Sequence, residues 1–308
     1  MANTKSPLEN LERLNMAHTK RVLIIGAGGY IGSNLKHKLL LEEHDVYYTT
    51  SSKTTKSGKS FHFDILDPNY ESLETSLNTN PSPFDIVYIV AWPLLDKYFD
   101  ERHISTILPN MIQLHDILVN KCNIKNIVYA GTCYEYGLIE GSLPESITCL
   151  PISEYGKAKL ALCQYVTSQS QTDSINVKWI RIFYPYGKNQ RETSLIPSLI
   201  KAIDTKQDVF KMSKGDQVRD FIHIDKLIDL FISIGLNANC ESGIYNCGSG
   251  NPVRLIDFLR DFIKNYNHSD NYSIKLDTSA YPYRKDEPFA FWADMTKTNQ
   301  LLQDRILE

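Results

Sequence analysis

At 308 residues the chain is long enough to bury a substantial core, either as one large domain or as a principal domain with a smaller lobe. Its 42% apolar and 22% charged residues and formal net charge of -3 describe an ordinary globular protein, and the absence of a basic excess or basic stripe speaks against a nucleic-acid surface. Six cysteines, at 122, 133, 149, 163, 240 and 247, form no C-x-x-C pair and have no histidine at zinc-ligand spacing, so no metal site is expected and a reducing, cytoplasmic setting is the simpler expectation.

Residues 1–19 read as an extension. Lys5, Glu9, Glu12 and Arg13 interrupt its apolar positions, which leaves no signal-peptide core, and no run in the chain reaches the length of a membrane span. Leu8, Leu11 and Leu14 recur at helical spacing, which fits a short amphipathic helix or a disordered segment, since so short a helix is marginal alone. From Lys20 onward, short β-rich runs alternate with longer amphipathic segments. Strands are expected at Arg21–Ile25, Val46–Thr49, Ser60–Phe63, Asp85–Val90, Asn126–Ala130 and Val177–Ile182, with helices near Ile31–Leu41, Tyr70–Leu77, Ile104–Asn120 and Ser153–Ser170. That alternation predicts an α/β fold: a doubly wound, Rossmann-like parallel sheet over residues 20–183. Helical periods at Leu195–Ile203, Leu227–Leu236 and Leu255–Ile263 then predict a smaller C-terminal lobe over 184–308, some segments of which return to the first domain. Ligands of open α/β sheets sit beyond the carboxyl ends of the strands, so such a lobe would close over that edge and bind substrate.

The segment Arg21-Val-Leu-Ile-Ile-Gly26-Ala-Gly-Gly29-Tyr30-Ile31-Gly32 places a buried strand directly before a glycine-rich turn and a helix. Such a turn lets the backbone approach a pyrophosphate and offers it the free N–H groups of the helix start. On a helix, Tyr155 and Lys159 share a face, and a neighbouring ammonium favours the phenolate of a group that otherwise titrates near pH 10. Thr132, at the end of a strand, can bond the same substrate oxygen.

The spacing G-x-x-G-x-x-G resembles that of the short-chain dehydrogenase/reductases, and six further motifs resemble the extended branch that acts on nucleotide sugars. They are Asp64-Ile65, similar to an adenine-contacting pair; Val90-Ala91-Trp92, similar to a strand end lining the cofactor; VYAGTCYEYG at Val128–Gly137; Tyr155-Gly-Lys-Ala-Lys159, similar to Y-x-x-x-K; and Arg219-Asp-Phe-Ile-His223 with the later Gly243–Gly250 segment. The resemblance implies Thr132, Tyr155 and Lys159 as the catalytic residues, and a cofactor held by Gly26, Gly29, Tyr30, Ile31, Gly32, Asp64, Ile65, Ala91, Trp92, Tyr155 and Lys159. It further implies a nucleotide-diphosphate sugar as substrate, contacted by Tyr134, Asn189, Arg219 and Arg284, and a homodimer built as a four-helix bundle from Ile104–Asn120 and Ser153–Ser170. The apolar positions named for that bundle, Leu114, Ile117, Leu118, Leu160, Leu162 and Val166, fit a core against the sheet equally well.

The 4,6-dehydratases of the family carry an acid three residues before the glycine that corresponds to Gly137. Here that place is Tyr134, and Glu135 falls one residue late, so dehydration is not expected. Tyr134 and Asn189 also replace the Cys and His of the fucose-synthase-like epimerase-reductases. Where NAD-preferring members carry Asp, this chain has Thr50, followed by Ser51, Ser52 and Lys53, which suit a phosphate, so NADP(H) is preferred over NAD(H). The leading expectation is an NADPH-dependent 4-ketoreductase of a nucleotide-linked 4-keto, 4-keto-6-deoxy sugar. A 4-epimerase with tightly held NAD is the alternative, and a cofactor-binding sensor without turnover is the third reading.

Overall fold

The computed structural model describes residues 19–52, 58–79, 83–171, 175–266, 274–283 and 286–304. The extension up to residue 18, Lys53 and Arg284 lie outside them. Seven parallel strands form the central sheet: β1 (Arg21–Ile25), β2 (Asp45–Thr50), β3 (Ser60–His62), β4 (Ile86–Ile89), β5 (Asn126–Ala130), β6 (Asn176–Ile182) and β7 (Gly243–Cys247). Their order across the sheet is β7-β6-β5-β4-β1-β2-β3, a doubly wound arrangement. Six of the seven follow the apolar runs of the sequence. β7 does not, because Gly-Ile-Tyr-Asn-Cys is short and carries little β-branched character; its place is fixed by non-local pairing, from Gly243 opposite Lys178 to Cys247 opposite Ile182.

Alternate side chains point to opposite faces of the sheet, so each face has its own core. On one, Val22, Ile24, Tyr88, Val128 and Ile180 meet helices α1 (Tyr30–Leu41) and α6 (Ile224–Leu236). On the other, Leu23, Val87, Ile127 and Trp179 meet α2 (Tyr70–Asn78), α3 (Leu108–Asn120) and α4 (Glu154–Ser170). The segment expected to be one helix from Ile104 begins as a π turn, His103–Ile107, before α3. Pro109 explains the change, since it has no N–H to continue a regular ladder.

The remaining C-terminal segments form the lobe. Helices α5 (Leu195–Asp204) and α7 (Leu255–Tyr266) enclose a third core of Ile196, Leu199, Met212, Ile256, Leu259 and Ile274. Although α6 and β7 follow residue 184, they belong to the sheet layers. Of the apolar residues named for a four-helix bundle, Leu114, Ile117, Leu118, Leu162 and Val166 are buried within the single chain, and only Leu160 is partly exposed. These five side chains pack in the core of the single chain.

Candidate active site

A cleft of about 1360 Å³ opens along the carboxyl edge of the sheet. Its walls come from the ends of β1, β2, β4, β5 and β6 and from the lobe's Asn189–Leu195 segment. At its floor the chain leaves β1 through Gly26 at φ +98°, a conformation that strongly favours glycine. A side chain at Gly26 would come within 2.6 Å of the Ala91 backbone nitrogen, and one at Gly32 would collide with the Gly26 carbonyl. Gly29 caps α1 without a side-chain hydrogen bond, and the first turn of α1 carries no acid. The helix start therefore presents its amides to the cleft beside Tyr30 and Ile31, a cradle that fits the pyrophosphate of a dinucleotide.

Along the same edge, Asp64 and Ile65 line the cleft beyond β3, and Asp64 accepts the Leu66 N–H at 2.9 Å. Thr50 and Ser51 line it beyond β2, while Ser52 gives its N–H to the Thr50 hydroxyl at 3.1 Å. Ala91 and Trp92 line it beyond β4. The expected cofactor contacts thus fall along one edge, except Gly32, whose part is packing, Ser52, which is absent from the cleft wall, and Lys53, which is not described.

Thr132, Tyr155 and Lys159 converge. Thr132 ends β5 and caps a single 3-10 turn, Cys133–Tyr136, with its side-chain oxygen toward the Tyr134 N–H at 3.3 Å. Ser153 caps α4 by accepting from the Gly156 N–H, which starts the helix so that Tyr155 and Lys159 face the cleft one turn apart. The Tyr155 and Thr132 side chains line the same wall of the cleft. Lys159 donates to the Ala130 carbonyl at 2.7 Å and lies 3.9 Å from the centre of the Trp92 ring.

The expected lowering of the Tyr155 phenol by Lys159 is not what this arrangement produces. Burial raises the phenol well above its ordinary range, and the Thr132 hydroxyl opposes that rise. Burial also lowers the Lys159 ammonium, to about 7, with the charge of Glu135 working the other way. Four rings enclose Tyr155: Trp92, Tyr98, His103 and Tyr134. The Trp92 indole can only donate, and it does so to His103 Nδ1 at 3.1 Å. His103 is therefore neutral, with its proton on Nε2 toward the Lys97 carbonyl at 3.0 Å, and burial holds its pKa down.

The substrate residues expected from sequence divide. Tyr134 stands in the cleft, its ring 4.8 Å from that of Tyr98, and gives its hydroxyl to Glu287 at 3.1 Å. Asn189, at φ +68°, lines the cleft and bonds Asn34 of α1 at 3.3 Å. Arg219 is buried, paired with Glu287 at 2.9 Å and bonded to the Val218 and Phe289 carbonyls. It does not line the cleft, so the structure gives it a binding partner inside the protein instead of a free fork for phosphate. Its neighbour Asp220 accepts from Ser249, Gly250 and Ala293, which accounts structurally for the Arg-Asp and Gly-Ser-Gly motifs. Sequence reasoning missed Tyr98, His103 and Glu287, which carry no motif, and assigned Glu135 no part. Glu135 is wholly buried and accepts from the Thr132 N–H, the Trp179 indole and Arg181.

A profile of the NAD dependent epimerase/dehydratase family matches residues 22–248. The dTDP-6-deoxy-L-talose 4-dehydrogenase (NAD(+)) of Aggregatibacter actinomycetemcomitans is 30% identical over 277 residues, covering 88% of this chain and 98% of that protein. A UDP-glucose 4-epimerase of Lactobacillus helveticus is 25% identical over 315 residues, covering 92% and 91%. A solved structure of UDP-glucose 4-epimerase, at 22% identity, superposes with a TM-score of 0.77 over 92% of this chain and 91% of that one, which is a likeness of fold.

Proposed function

Because the chain belongs to the NAD dependent epimerase/dehydratase family, within the extended short-chain dehydrogenases/reductases, we propose that it reduces a nucleotide-linked 4-keto sugar, with a 4-keto-6-deoxy sugar as the favoured substrate. The observation that carries this reading is the placement of the Tyr155 phenol in the cleft, with Thr132 and Lys159 lining the same wall. A phenol at that place can give its proton to a ketone oxygen as hydride reaches the carbon.

A reduced nicotinamide, when bound, would supply the hydride for C4. Tyr155 gives its proton to O4, Thr132 orients that oxygen, and Lys159 restores charge balance behind the phenol and would hold the nicotinamide ribose. Tyr134 fills the place of the dehydratase acid with a neutral phenol, whose pKa is raised far above the ordinary range by burial. The similarity to the talose 4-dehydrogenase supports net oxidoreduction, and the similarity to the glucose 4-epimerase supports the second reading, 4-epimerisation by the same three residues. For the cofactor, Thr50 and Ser51 offer the cleft hydroxyls and no carboxylate of their own at the end of β2, while Asp64 stands on that edge beyond β3. Those hydroxyls support a preference for NADP(H), and the similarity to the NAD(+)-named talose 4-dehydrogenase supports NAD(H) as the alternative.

The test offers wild type and Tyr155→Phe a panel of nucleotide-linked 4-keto-6-deoxy sugars with either reduced cofactor, followed at the nicotinamide absorbance. Wild type consumes cofactor, and Tyr155→Phe loses roughly 10²- to 10⁴-fold in turnover while keeping its fold. Full activity in Tyr155→Phe would sink the mechanism. Interconversion of C4 epimers without net cofactor consumption would establish the second reading.

A further inference from the structure

We propose that Glu135 is a positioning residue of the catalytic centre: a buried carboxylate, paired with Arg181, that holds the Thr132 backbone in place and acts on Lys159 from its seat at the Trp179 indole. The proposal rests on the reading of Thr132, Tyr155 and Lys159 given above.

Glu135 belongs to the turn that Thr132 caps, and the two residues bond reciprocally. The Glu135 Oε1 atom accepts the Thr132 N–H at 2.8 Å and the Trp179 indole N–H at 3.0 Å, while Oε2 accepts Arg181 Nε at 2.8 Å. The carboxylate and the guanidinium are 0% and 2% exposed. The neighbouring backbone is shaped to admit them, because a side chain at Gly131 would strike the Trp179 indole nitrogen and come within 2.8 Å of Glu135 Oε1. A buried ion pair is a poor device for stability alone, since desolvation offsets most of the attraction and well-packed apolar residues commonly do as well. What this pair provides that an apolar pair would not is a negative charge directly beneath the catalytic residues.

The groups around Lys159 show why that charge matters. Trp92 and Trp179 face its ammonium at 3.9 and 5.9 Å, and the Ala130 carbonyl accepts from it. The titratable and charged groups that bear on Lys159 or on Glu135 are Tyr155 and Cys163 on the Lys159 helix, Cys133 in the catalytic turn, Cys149, Arg181 on β6 and the neutral His103 of the π turn. Glu135 is the carboxylate that pairs with Arg181 inside the core, and it opposes the burial that lowers the Lys159 ammonium.

The proposal is tested first on the protein without cofactor or substrate, by urea unfolding across pH 6 to 10. Wild type, Glu135→Gln, Glu135→Asp and Glu135→Gln/Arg181→Met are each compared with the same protein carrying Lys159→Met, which isolates the contribution of Lys159. The sign follows from a folded-state value of about 7 against the ordinary 10.5. Between those values the unfolded chain holds a proton that the folded chain has shed, so the Lys159 contribution rises with pH from about 7 and is lost as pH falls through that value. In Glu135→Gln the onset of that rise moves down by about one pH unit. Glu135→Asp restores it, and the double variant keeps the shift even if Glu135→Gln folds poorly around an unpaired Arg181. The alkaline limb of kcat/KM moves down by the same amount in Glu135→Gln. An unchanged onset in both carboxylate-free variants, or a slower enzyme with an unmoved pH limb, overturns the proposal and leaves Glu135 a purely structural group. Failure to reduce any 4-keto sugar would remove the proposed function but not this test, which needs no substrate.

Discussion

In the proposed reading, Thr50 bears on cofactor choice through what it lacks. A carboxylate at the end of β2 would bond the adenosine ribose diol and repel a 2′-phosphate, whereas a hydroxyl does neither. Thr50→Asp is therefore expected to weaken NADPH binding at least tenfold, about 1.4 kcal/mol, while NADH binding holds or improves. Fluorescence titration of both cofactors measures it, and a parallel loss for the two would show that this loop does not reach the ribose. The place of Thr50, Thr132, Tyr155 and Lys159 along one cleft was legible in the sequence because their signals are local: a strand end, a helix face, a fixed spacing. Glu135 and Glu287 were not, because their partners are remote. Arg181 lies 46 residues from Glu135, and Tyr134 lies 153 from Glu287, so only the folded chain shows what either carboxylate faces.

At the scale of elements, the β1-turn-α1 unit joins folding to binding through glycines that do different work. At Gly32 a side chain would strike the Gly26 carbonyl and approach the Ala27 Cα at 2.9 Å, so helix and strand would have to separate. At Gly28 nothing lies within 4 Å. Gly32→Ala should thus lose both thermal stability and cofactor affinity, while Gly28→Ala keeps wild-type stability within about 0.5 kcal/mol, as surface substitutions usually do. Chemical denaturation of the two variants separates them; equal stability would mean that α1 can shift to admit the methyl. Periodicity located this unit, and it located most helices to within a residue or two, because a one-sided apolar stripe reflects the face that is buried. It did not reveal the π turn before α3, which depends on one proline, or β7, whose identity as a strand depends on β6 beside it.

Across the whole molecule, the lobe and the sheet meet at the catalytic turn through one buried cluster. Arg219 comes from a lobe strand, Glu287 from the C-terminal segment, Tyr134 from the turn after β5 and Tyr184 from the chain just past β6. Glu287 takes Arg219 at 2.9 Å, the Tyr134 hydroxyl at 3.1 Å and the Tyr184 hydroxyl at 3.5 Å, and the guanidinium lies over the Tyr184 and Phe291 rings. The sequence motif alone reads Arg219 as a phosphate contact, which would make Arg219→Ala a binding defect in a stable protein. The cluster leads to a different outcome. Removing the guanidinium leaves Glu287 largely buried without its main counter-charge, a change that costs roughly 3–5 kcal/mol in buried pairs. It also frees Tyr134, whose ring contacts Tyr155, so the loss should reach the catalytic centre. Arg219→Ala is thus expected to lower Tm by several degrees and to reduce kcat as well as raise KM for the sugar nucleotide. Arg219→Met/Glu287→Gln, which removes both charges together, should recover much of the stability, because neither member of the pair is left buried without the other. A stable Arg219→Ala protein with only a raised KM would return Arg219 to the phosphate-binding role and would mean that the lobe moves to expose it when substrate binds.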